Sequence, residues 1–594
     1  MKLDTLSMHY TISNPASFGI KKYNITLPCF DESSYMTQAL SLENTINRLH
    51  SFCADSLSPS ESLTCQLLLS QYEQELSSQP FQLYSDPLSP NSGISSQLPI
   101  LLAEYYFLDK EDVQDYLTLL TCIPDYFSSI ENYEKLRAKS GLFMPRNNAL
   151  KISDQCSSII TAKDITSNSH FLVITFQERI QNLLTHKKIS KKEADSFCKQ
   201  HQSILLHSVL PAYQSLGHTI ASLADLSENN DGLVYFPKGR DYYSALLKRN
   251  TGSSKSIPEV KELLQNQLRY DYSQLVILSH ALQKENLTSD TLSFTIQTPD
   301  LMLQDLQKQM ASDFPPLPKS TDYLSPEYTV KKVSPCLADY CSPAFYLTPP
   351  IDRLEENVIY INQKSISSNL DLYTTLAHEG YPGHLYQTLY FQKYQQTYQS
   401  FNPIRSILYY GGYVEGWALY TENLSYNYAK NILSEHNPQN KKYNETLIDY
   451  YRYNRDLQLC LYSILDIAIH YDGLQYEEVY SMLAEFGIVD EATVHNIYEY
   501  IVSEPTNYLK YYLGYLEILN LKTIAKEKMG TSYNDYLFHE FLLESGPMDF
   551  QTLQQELLKK ISNWNSPVAY ICLKNRFKFV SAFSNTSFSS SFKS

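Results

Sequence analysis

The sequence predicts a mainly α-helical fold with a small β-sheet. Of its 594 residues only 17 are glycine, while 43% are hydrophobic and 19% charged, as in ordinary globular proteins. Long amphipathic stretches with few glycines are typical of helices joined by short loops. Two short runs, YTVKKV at residues 328–333 and NVIYIN at residues 357–362, interrupt the helical pattern and predict strands.

Helical patterning begins near residue 98, with LPILLAEYYFLD, and continues through most of the N-terminal half. Ser256 and Pro258 predict a helix start, because serine caps a helix and proline suits its first turn. The apolar run at residues 233–236, bounded by turn residues, predicts a short strand. Residues 312–350 are dense in proline and lack a helical period.

Composition excludes several classes of function. A net charge of −16 and a pI near 5.4 argue against nucleic-acid binding, which needs a basic face. The sequence contains no run of 18 apolar residues, so no membrane span is predicted. Its start lacks the apolar segment of a signal peptide, so we expect the chain as written to be cytoplasmic. The ten cysteines form no CxxC pair and are most simply buried free thiols.

The segment HEGYPGH, from His378 to His384, carries the most specific chemistry of the chain. In the common HExxH arrangement, two histidines four residues apart share one helix face and bind zinc. Here they are six residues apart, about 120° around a regular helix. Pro382 removes a helical hydrogen bond, and the glycines that flank it ease a distortion. We therefore expect the helix, which starts near residues 368–369, to bulge here so that both histidines reach one metal ion.

A second acidic and aromatic stretch, VEGWALYTEN at residues 414–423, follows the motif. Catalytic zinc takes three protein ligands and keeps a position for water, so Glu415 is the expected third ligand beside the two histidines. Glu422 lies seven residues further on the same helix face, where we expect it to orient a histidine. Glu379, next to a ligand, is the expected general base that takes the water's proton.

Hydrolysis of an amide also needs a donor that stabilises the developing negative charge. The C-terminal third offers His470 and the neighbouring tyrosines Tyr511, Tyr512 and Tyr515. Of these, His470, Tyr512 and Tyr515 are the predicted catalytic residues. Because the chain has 50 tyrosines, a packing role is the alternative for each tyrosine.

Arg455 is the predicted substrate-binding residue. A guanidinium can hold a carboxylate through two parallel hydrogen bonds, which would suit a carboxypeptidase or a dipeptidase. The alternative is a structural ion pair with Asp466, eleven residues away on the same helix face.

The string TLAHEGYPGHLYQ, followed by VEGWALYTE, resembles bacterial proteins of the domain of unknown function 885 family. The blocks SPAFYLTPP, RYNRDLQLCLYSILDIAIHYDGL and NYLKYYLGYLEILNLKTIAKEKMG resemble it too, so the similarity covers nearly the whole chain. The family in turn resembles the gluzincin metallopeptidases, whose third zinc ligand is a glutamate. The resemblance implies a large helical metallopeptidase-like fold, with the small β-sheet beside the active-site helix.

The motifs and the resemblance together predict zinc-dependent hydrolysis of short peptides, with Zn²⁺ as cofactor and a peptide as substrate. The expected regions are an N-terminal helical region at 1–310, a catalytic region at 311–578 and a flexible tail at 579–594. Two alternatives remain, a catalytically inactive peptide-binding protein and a metallohydrolase of non-peptide amides or esters. The oligomeric state stays open. Relatives look secreted or lipid-anchored, so a truncated N-terminus is the alternative to a cytoplasmic location.

Overall fold

The computed structural model describes residues 4–21, 23–53, 56–284, 294–318, 327–339, 341–398, 403–436 and 440–564. Within these ranges the protein is mainly α-helical with one small sheet, which confirms the predicted fold class. The expected tail at residues 579–594 lies outside the described residues.

The helices of the first 310 residues come in chain order, separated by short connections. They are α1 (Thr5–Thr11), α2 (Glu32–Cys53), α3 (Pro59–Ser77), α4 (Ile94–Glu104), α5 (Lys110–Thr121), α6 (Ile123–Lys139), α7 (Arg146–Ile159), α8 (Ala162–Thr166), α9 (Phe171–Thr185), α10 (Lys191–Ile204), α11 (Leu210–Leu223), α12 (Gly239–Thr251), α13 (Ile257–Gln283) and α14 (Pro299–Met310). The predicted start of α13 is confirmed, since Ser256 and Glu259 form a capping box around Pro258.

The second half of the chain is equally helical. Its helices are α15 (Asn369–Glu379), α16 (His384–Tyr398), α17 (Pro403–Ser406), α18 (Gly411–His436), α19 (Lys441–Ile467), α20 (Tyr476–Ala484), α21 (Glu491–Ser503), α22 (Asn507–Met529), α23 (Asp535–Ser545) and α24 (Phe550–Trp564).

The sheet lies in sequence between α14 and α15 and has the strand order β1-β3-β2. Both predicted strands are confirmed, as β1 (Glu327–Lys332) and β3 (Glu356–Ile361), and they pair in parallel. The third strand, β2 (Ala344–Leu347), falls in the proline-rich segment and was not predicted; it pairs antiparallel to β3. The strand predicted at 233–236 is wrong, because this run forms a single 3₁₀ turn, Leu233–Tyr235, whose bonds are local.

Two large hydrophobic cores divide the described chain. One is built almost wholly from residues 6–224, and the other takes residues from Leu233 onward together with Leu67 and Leu68 of α3. Both Met302 and Phe314 belong to the second core. The second core therefore spans the predicted boundary at residue 310, and the division at 310 stays a prediction.

The cysteines only partly follow the expectation of buried free thiols. Cys53 and Cys65 form a disulfide across α2 and α3, with 6.1 Å between their Cα atoms, and Cys29 is exposed. Two free cysteines are buried, namely Cys156 and Cys460, and Cys572 lies outside the described residues. Among the described helices, none combines the length and the apolar character needed to cross a membrane.

Candidate metal centre

The helix that carries His378 breaks inside the HEGYPGH motif. Ser368 caps α15 by accepting the Asp371 N–H at 3.1 Å, which confirms the predicted helix start. The expected bulge is wrong in form, because α15 ends at Glu379 and a new helix, α16, begins at His384. The consequence is nevertheless the expected one: the two imidazole rings meet, with their centroids 4.9 Å apart and their planes at 86°.

The break is a tight turn that requires glycine at residue 383. A Cβ atom added to Gly383 would lie 1.7 Å from the carbonyl oxygen of His378, so no side chain fits at this position. The Tyr381–Pro382 peptide bond in the turn is cis. The Trp417 indole N–H, on α18, donates to the Pro382 carbonyl at 2.9 Å and ties the turn to the helix of the second acidic stretch.

Glycines also bring α18 close to α22. A Cβ atom on Gly416 would lie 2.4 Å from the backbone of Gly514, and one on Gly514 would lie 2.2 Å from the carbonyl oxygen of Gly412. The two backbones are therefore in direct contact. This close approach places Glu415, next to Gly416, beside the side chains that α22 carries.

Three side-chain atoms from α15, α16 and α18 converge at the site. Glu415 Oε2 lies 3.3 Å from His384 Nε2 and 3.7 Å from His378 Nε2. This oxygen is buried, and no described donor makes a hydrogen bond to it. A buried carboxylate oxygen that accepts no hydrogen bond is costly, and here only the two imidazoles lie beside it. The arrangement therefore suits a cation placed between the three atoms.

Glu379 belongs to the same group. One ligand atom each of His378, Glu379 and His384 lies within 4.8 Å of the others, so these three residues can also hold a metal ion. Glu379 Oε2 already accepts the backbone N–H of Tyr346 at 2.8 Å. That bond engages one oxygen of Glu379, whereas Glu415 Oε2 accepts no hydrogen bond; the assignment of Glu415 as the ligand and Glu379 as the base stays a prediction.

A chain of hydrogen bonds fixes His378 from behind. Glu422 Oε2 lies 3.0 Å from His378 Nδ1, and Glu422 Oε1 accepts from Arg455 Nε at 3.0 Å. With Nδ1 engaged, Nε2 is the nitrogen that faces His384 and Glu415. Glu422 thus occupies the orienting position that the sequence predicts for it.

The electrostatics of this group favour a positive charge. Burial by itself lowers the pKa of His378, but the carboxylates of Glu415 and Glu422 outweigh it and raise the pKa to about 10. For Glu422, burial raises the pKa, but Arg455 and His378 outweigh it and lower the pKa to about 2. The pKa of Glu415 is likewise held well below its usual range, because the two histidines outweigh burial.

Of the tyrosines on α22, the structure brings Tyr511 to the site rather than Tyr512 or Tyr515. The Tyr511 ring stacks on His378 with 5.9 Å between centroids, and the Glu415 carboxylate, followed by burial, raises the pKa of its phenol far above the usual value. Tyr512 is fully buried and donates to Asp271 at 2.8 Å, and Tyr515 packs against Tyr512. The structure thus places Tyr512 and Tyr515 in the core, and their predicted catalytic role stays a prediction.

Tyr409 is a further residue that the sequence did not single out. It lies in the segment that leads into α18, and besides burial the Glu415 carboxylate raises the pKa of its phenol. The residue as a whole is nevertheless 57% exposed. No sequence pattern distinguishes Tyr409, six residues before the predicted ligand Glu415, from the other tyrosines.

His470 is not brought to the metal centre. It is fully buried in the π-helical turn Ala468–Asp472 that continues α19, where Nδ1 accepts the Leu233 N–H at 3.1 Å and Nε2 contacts the Ile501 carbonyl at 2.9 Å. Both ring nitrogens are therefore used by the backbone. The predicted catalytic role of His470 needs a free ring nitrogen, and in this arrangement both ring nitrogens are engaged.

Arg455 pairs with Glu422, so the alternative ion pair with Asp466 is wrong. Asp466 instead accepts the Tyr243 hydroxyl at 2.6 Å and the Thr506 N–H at 2.9 Å. Arg455 is half-exposed and lines a cavity of about 670 Å³ together with Asp371 and Glu422. The site residue predicted to bind substrate thus lies beside an open cavity that adjoins the metal centre through Glu422.

A family described as "Bacterial protein of unknown function (DUF885)" matches residues 15–557. The match covers most of the chain, which therefore belongs to this family, as the sequence motifs suggested. A comparison with curated proteins finds no match.

Two solved structures share the fold at low identity, and a third is similar only at a low TM-score. A candidate lipoprotein from Colwellia psychrerythraea is 18% identical, with a TM-score of 0.78 and coverage of 94% of this chain and 96% of that one. A candidate lipoprotein of unknown function from Shewanella oneidensis is 16% identical, with a TM-score of 0.57 and coverage of 90% and 94%. A candidate oligoendopeptidase F from Bacillus anthracis str. Ames is 13% identical, with a TM-score of 0.29 and coverage of 88% and 95%.

Proposed function

We propose that this protein is a zinc-dependent peptidase that hydrolyses short peptides. The observation that carries the proposal is that Glu415 Oε2, a buried oxygen that accepts no hydrogen bond, lies close to both His378 Nε2 and His384 Nε2, with Glu379 beside them. Two imidazoles and one carboxylate are a common ligand set of catalytic zinc, which keeps one position open.

The distances in this group suit zinc. A tetrahedral ion bound at zinc's usual nitrogen and oxygen distances separates its ligand atoms by about 3.3–3.5 Å. Glu415 Oε2 lies 3.3 and 3.7 Å from the two histidine nitrogens, so little movement would bring the three atoms to one ion. Glu422, bonded to His378 Nδ1, completes the usual arrangement in which a carboxylate fixes the tautomer and orientation of a histidine ligand.

Bound zinc would supply an acidified water and polarise the substrate carbonyl. Glu379 would take the proton of the attacking water and pass it to the leaving amine, as a general base and then a general acid. The Tyr346 N–H holds the Glu379 carboxylate in place at 2.8 Å. Tyr511, whose ring stacks on His378, is the proposed donor of a hydrogen bond to the developing oxyanion.

The edge of β2 is the proposed binding surface for the peptide. In the order β1-β3-β2, this strand lies at the edge of the sheet, and its Tyr346 N–H points away from β3 to Glu379. An extended peptide that adds to this edge forms main-chain hydrogen bonds and passes directly by the metal centre. Specificity for short peptides follows if Arg455, through its remaining guanidinium nitrogens, holds the C-terminal carboxylate.

The location that we propose is outside the cytoplasm. The two solved structures with the higher TM-scores are described as candidate lipoproteins, and the Cys53–Cys65 disulfide suits an oxidising compartment. Fractionation of cells that express the full-length gene tests this proposal, with non-reducing and reducing gels to follow the disulfide.

The deciding experiment is the zinc content of the purified protein after zinc loading and desalting, measured by elemental mass spectrometry. We expect about one zinc per chain in the wild type and almost none in His384→Ala, since catalytic zinc needs three protein ligands. The matched control is His186→Ala, an exposed histidine on the surface, which should keep the metal.

Cleavage of a peptide library, read by mass spectrometry, then tests the activity. Zinc binding with products from several peptides supports the peptidase and shows whether it trims ends or cuts internally. Zinc and tight peptide binding without any product would favour the inactive peptide-binding protein. Cleavage of ester or amide panels but not of peptides would favour the non-peptide hydrolase. A wild type without zinc would overturn the mechanism.

A further inference from the structure

The cavity beside Arg455 carries two charges of opposite sign that do not pair with each other. It has a volume of about 670 Å³ and is lined mainly by residues 365–375 and by residues of α18 and α19. Among the described residues that line it, only Arg455, Glu422 and Asp371 are charged. Arg455 pairs with Glu422 at 3.0 Å, whereas Asp371 forms no ion pair within the described chain. Asp371 is therefore the uncompensated charge of the cavity.

Both side chains keep polar atoms that no described residue engages. The Arg455 side chain is 41% exposed and uses Nε for Glu422, while Nη1 and Nη2 make no hydrogen bond to the described part of the chain. Asp371, in the first turn of α15, accepts the Ser367 N–H and the Ser367 hydroxyl on Oδ2 at 2.8 and 2.9 Å. Its Oδ1 accepts no hydrogen bond from a described donor. Neither side chain is buried, so a ligand in the cavity can reach both.

Arg455 and Asp371 nevertheless act on each other electrostatically. Burial by itself lowers the pKa of Arg455, but the Glu422 carboxylate, followed by Tyr426 and Asp371, outweighs burial and raises the pKa. The two charges thus face each other across the cavity without forming an ion pair. A ligand that carries both signs can pair with each of them through charge-assisted hydrogen bonds.

The rest of the lining is polar with a small apolar part. Most of the other lining side chains carry a hydroxyl or an amide, and the apolar ones are Phe294, Pro343 and Leu370. Hydroxyls and amides form hydrogen bonds with both ammonium and carboxylate groups. The apolar side chains can pack against the methylene groups of a long side chain. The lining therefore suits a long side chain with a charged end.

We propose that this cavity receives the C-terminal residue of the peptide substrate and selects a basic side chain there. The terminal carboxylate binds Nη1 and Nη2 of Arg455, and the side-chain cation binds Asp371. The inference rests on the proposed function, in which Arg455 holds the C-terminal carboxylate. Because the α-nitrogen of a C-terminal residue lies in the peptide bond, the cation that meets Asp371 comes from the side chain. The substrate class is therefore short peptides that end in a basic residue.

Calorimetric titration of the full-length protein with Nα-acetyl-lysine, before and after zinc loading, tests the cavity directly. This probe carries the carboxylate and the ammonium of a C-terminal lysine. Nα-acetyl-norleucine lacks only the ammonium, and Nα-acetyl-lysine amide lacks only the carboxylate. We expect each of these two to bind at least about tenfold more weakly, because each loses a hydrogen bond to a charged group. Equal affinities for the lysine and norleucine probes would overturn the inference.

The variant Asp371→Asn assigns the contact with the ammonium. It should lower the affinity for Nα-acetyl-lysine to that for Nα-acetyl-norleucine and leave the norleucine probe unaffected, which a general loosening of the site would not do. Asp241→Asn is the matched control, because it also removes an exposed acid from the first turn of a helix, α12, and should bind all three probes as the wild type does. A full preference for lysine in Asp371→Asn would contradict the inference.

The three probes on the wild type decide the question even if Asp371→Asn does not fold. Cleavage kinetics then separate this inference from the proposed function. We expect kcat/KM for peptides that end in lysine to exceed that for the same peptides ending in norleucine at least about tenfold. Cleavage without this preference would overturn the inference and leave the peptidase standing. Selective binding of Nα-acetyl-lysine by a protein that cleaves no peptide would support the cavity and count against the proposed function.

Discussion

Two buried turns of this protein each carry a histidine, and the hydrogen-bond partners of the two histidines are of opposite kinds. In the metal turn, residues 378–384, His378 is held by the side chain of Glu422 and faces Glu415. In the His470 turn, Ala468–Asp472, the partners are the backbone groups of Leu233 and Ile501. Both are breaks in regular helix, and both rings are largely removed from water.

The pKa values of the two histidines move apart for this reason. Burial lowers the pKa of His470 to about 4, and the hydrogen bond to the Ile501 carbonyl, which raises the pKa, does not offset it. The carboxylates around His378 outweigh burial and raise its pKa to about 10. A histidine between one backbone donor and one backbone acceptor needs nothing more. A histidine among carboxylates is favoured in its positively charged form, and a metal ion at the same place would supply the same charge.

The largest effect is expected when the metal turn loses its base. Glu379→Gln should keep the zinc but lower peptide turnover about 10³-fold or more, because an amide cannot take a proton. Steady-state kinetics together with metal analysis measure this, and the exposed Glu435→Gln on α18 serves as control. Turnover that survives in Glu379→Gln would remove Glu379 from the mechanism.

The next effect separates two adjacent tyrosines. Tyr511→Phe should lower kcat about 100-fold with the zinc content unchanged, because it removes a donor beside the metal ligands. Tyr512→Phe should leave kcat unchanged and lower the free energy of unfolding by about 1 kcal/mol, through the lost bond to Asp271. Kinetics and urea unfolding on both variants test the pair, and a reversed result would reinstate the sequence-based choice of Tyr512.

His470→Ala probes the other side of the comparison. It leaves the Leu233 N–H and the Ile501 carbonyl without partners, so the free energy of unfolding should fall by about 2–5 kcal/mol. Zinc content should not change. Urea unfolding and elemental analysis are the measurements, and zinc loss from folded His470→Ala would bring this residue back to the metal centre.

Glu422→Gln sharpens the role of the carboxylate behind His378. We expect zinc affinity to fall about 10–100-fold, because the histidine loses the partner that fixes its tautomer. Competition with a chromogenic chelator measures the affinity. An unchanged zinc affinity would show that Glu422 pairs with Arg455 but does not contribute to metal binding.

The last effect concerns pH and lies next to the His470 turn. Burial raises the pKa of Asp466 to about 7 in the folded protein, above its unfolded value of about 4. Unfolding therefore releases a proton between these values, so stability falls as pH rises from about 4 to about 7, by up to about 1.4 kcal/mol per pH unit.

Asp466→Asn should remove this contribution to the slope. Urea midpoints of both proteins, measured across that pH range, give the comparison. Equal slopes would mean that Asp466 is already ionised throughout the range, with the Tyr243 and Thr506 hydrogen bonds outweighing burial.

Local sequence determined much of this protein. Scarce glycine and helical periodicity predicted the mainly α fold, and Pro382 with its flanking glycines predicted that the helix could not continue unchanged to His384. The spacing of Glu415 and Glu422 put them on one face of α18. These features depend on residues within one or two turns of each other, which is the range over which periodicity and capping act.

Tertiary structure decided which distant residues meet. The contact of α18 with α22 through Gly412, Gly416 and Gly514 places Tyr511 at the site, although Tyr512 is its sequence neighbour and points about 100° away. The backbone partners of His470 lie 237 and 31 residues from it in sequence. No local pattern records such contacts, because burial and the matching of hydrogen-bond donors to acceptors are settled only when the helices pack.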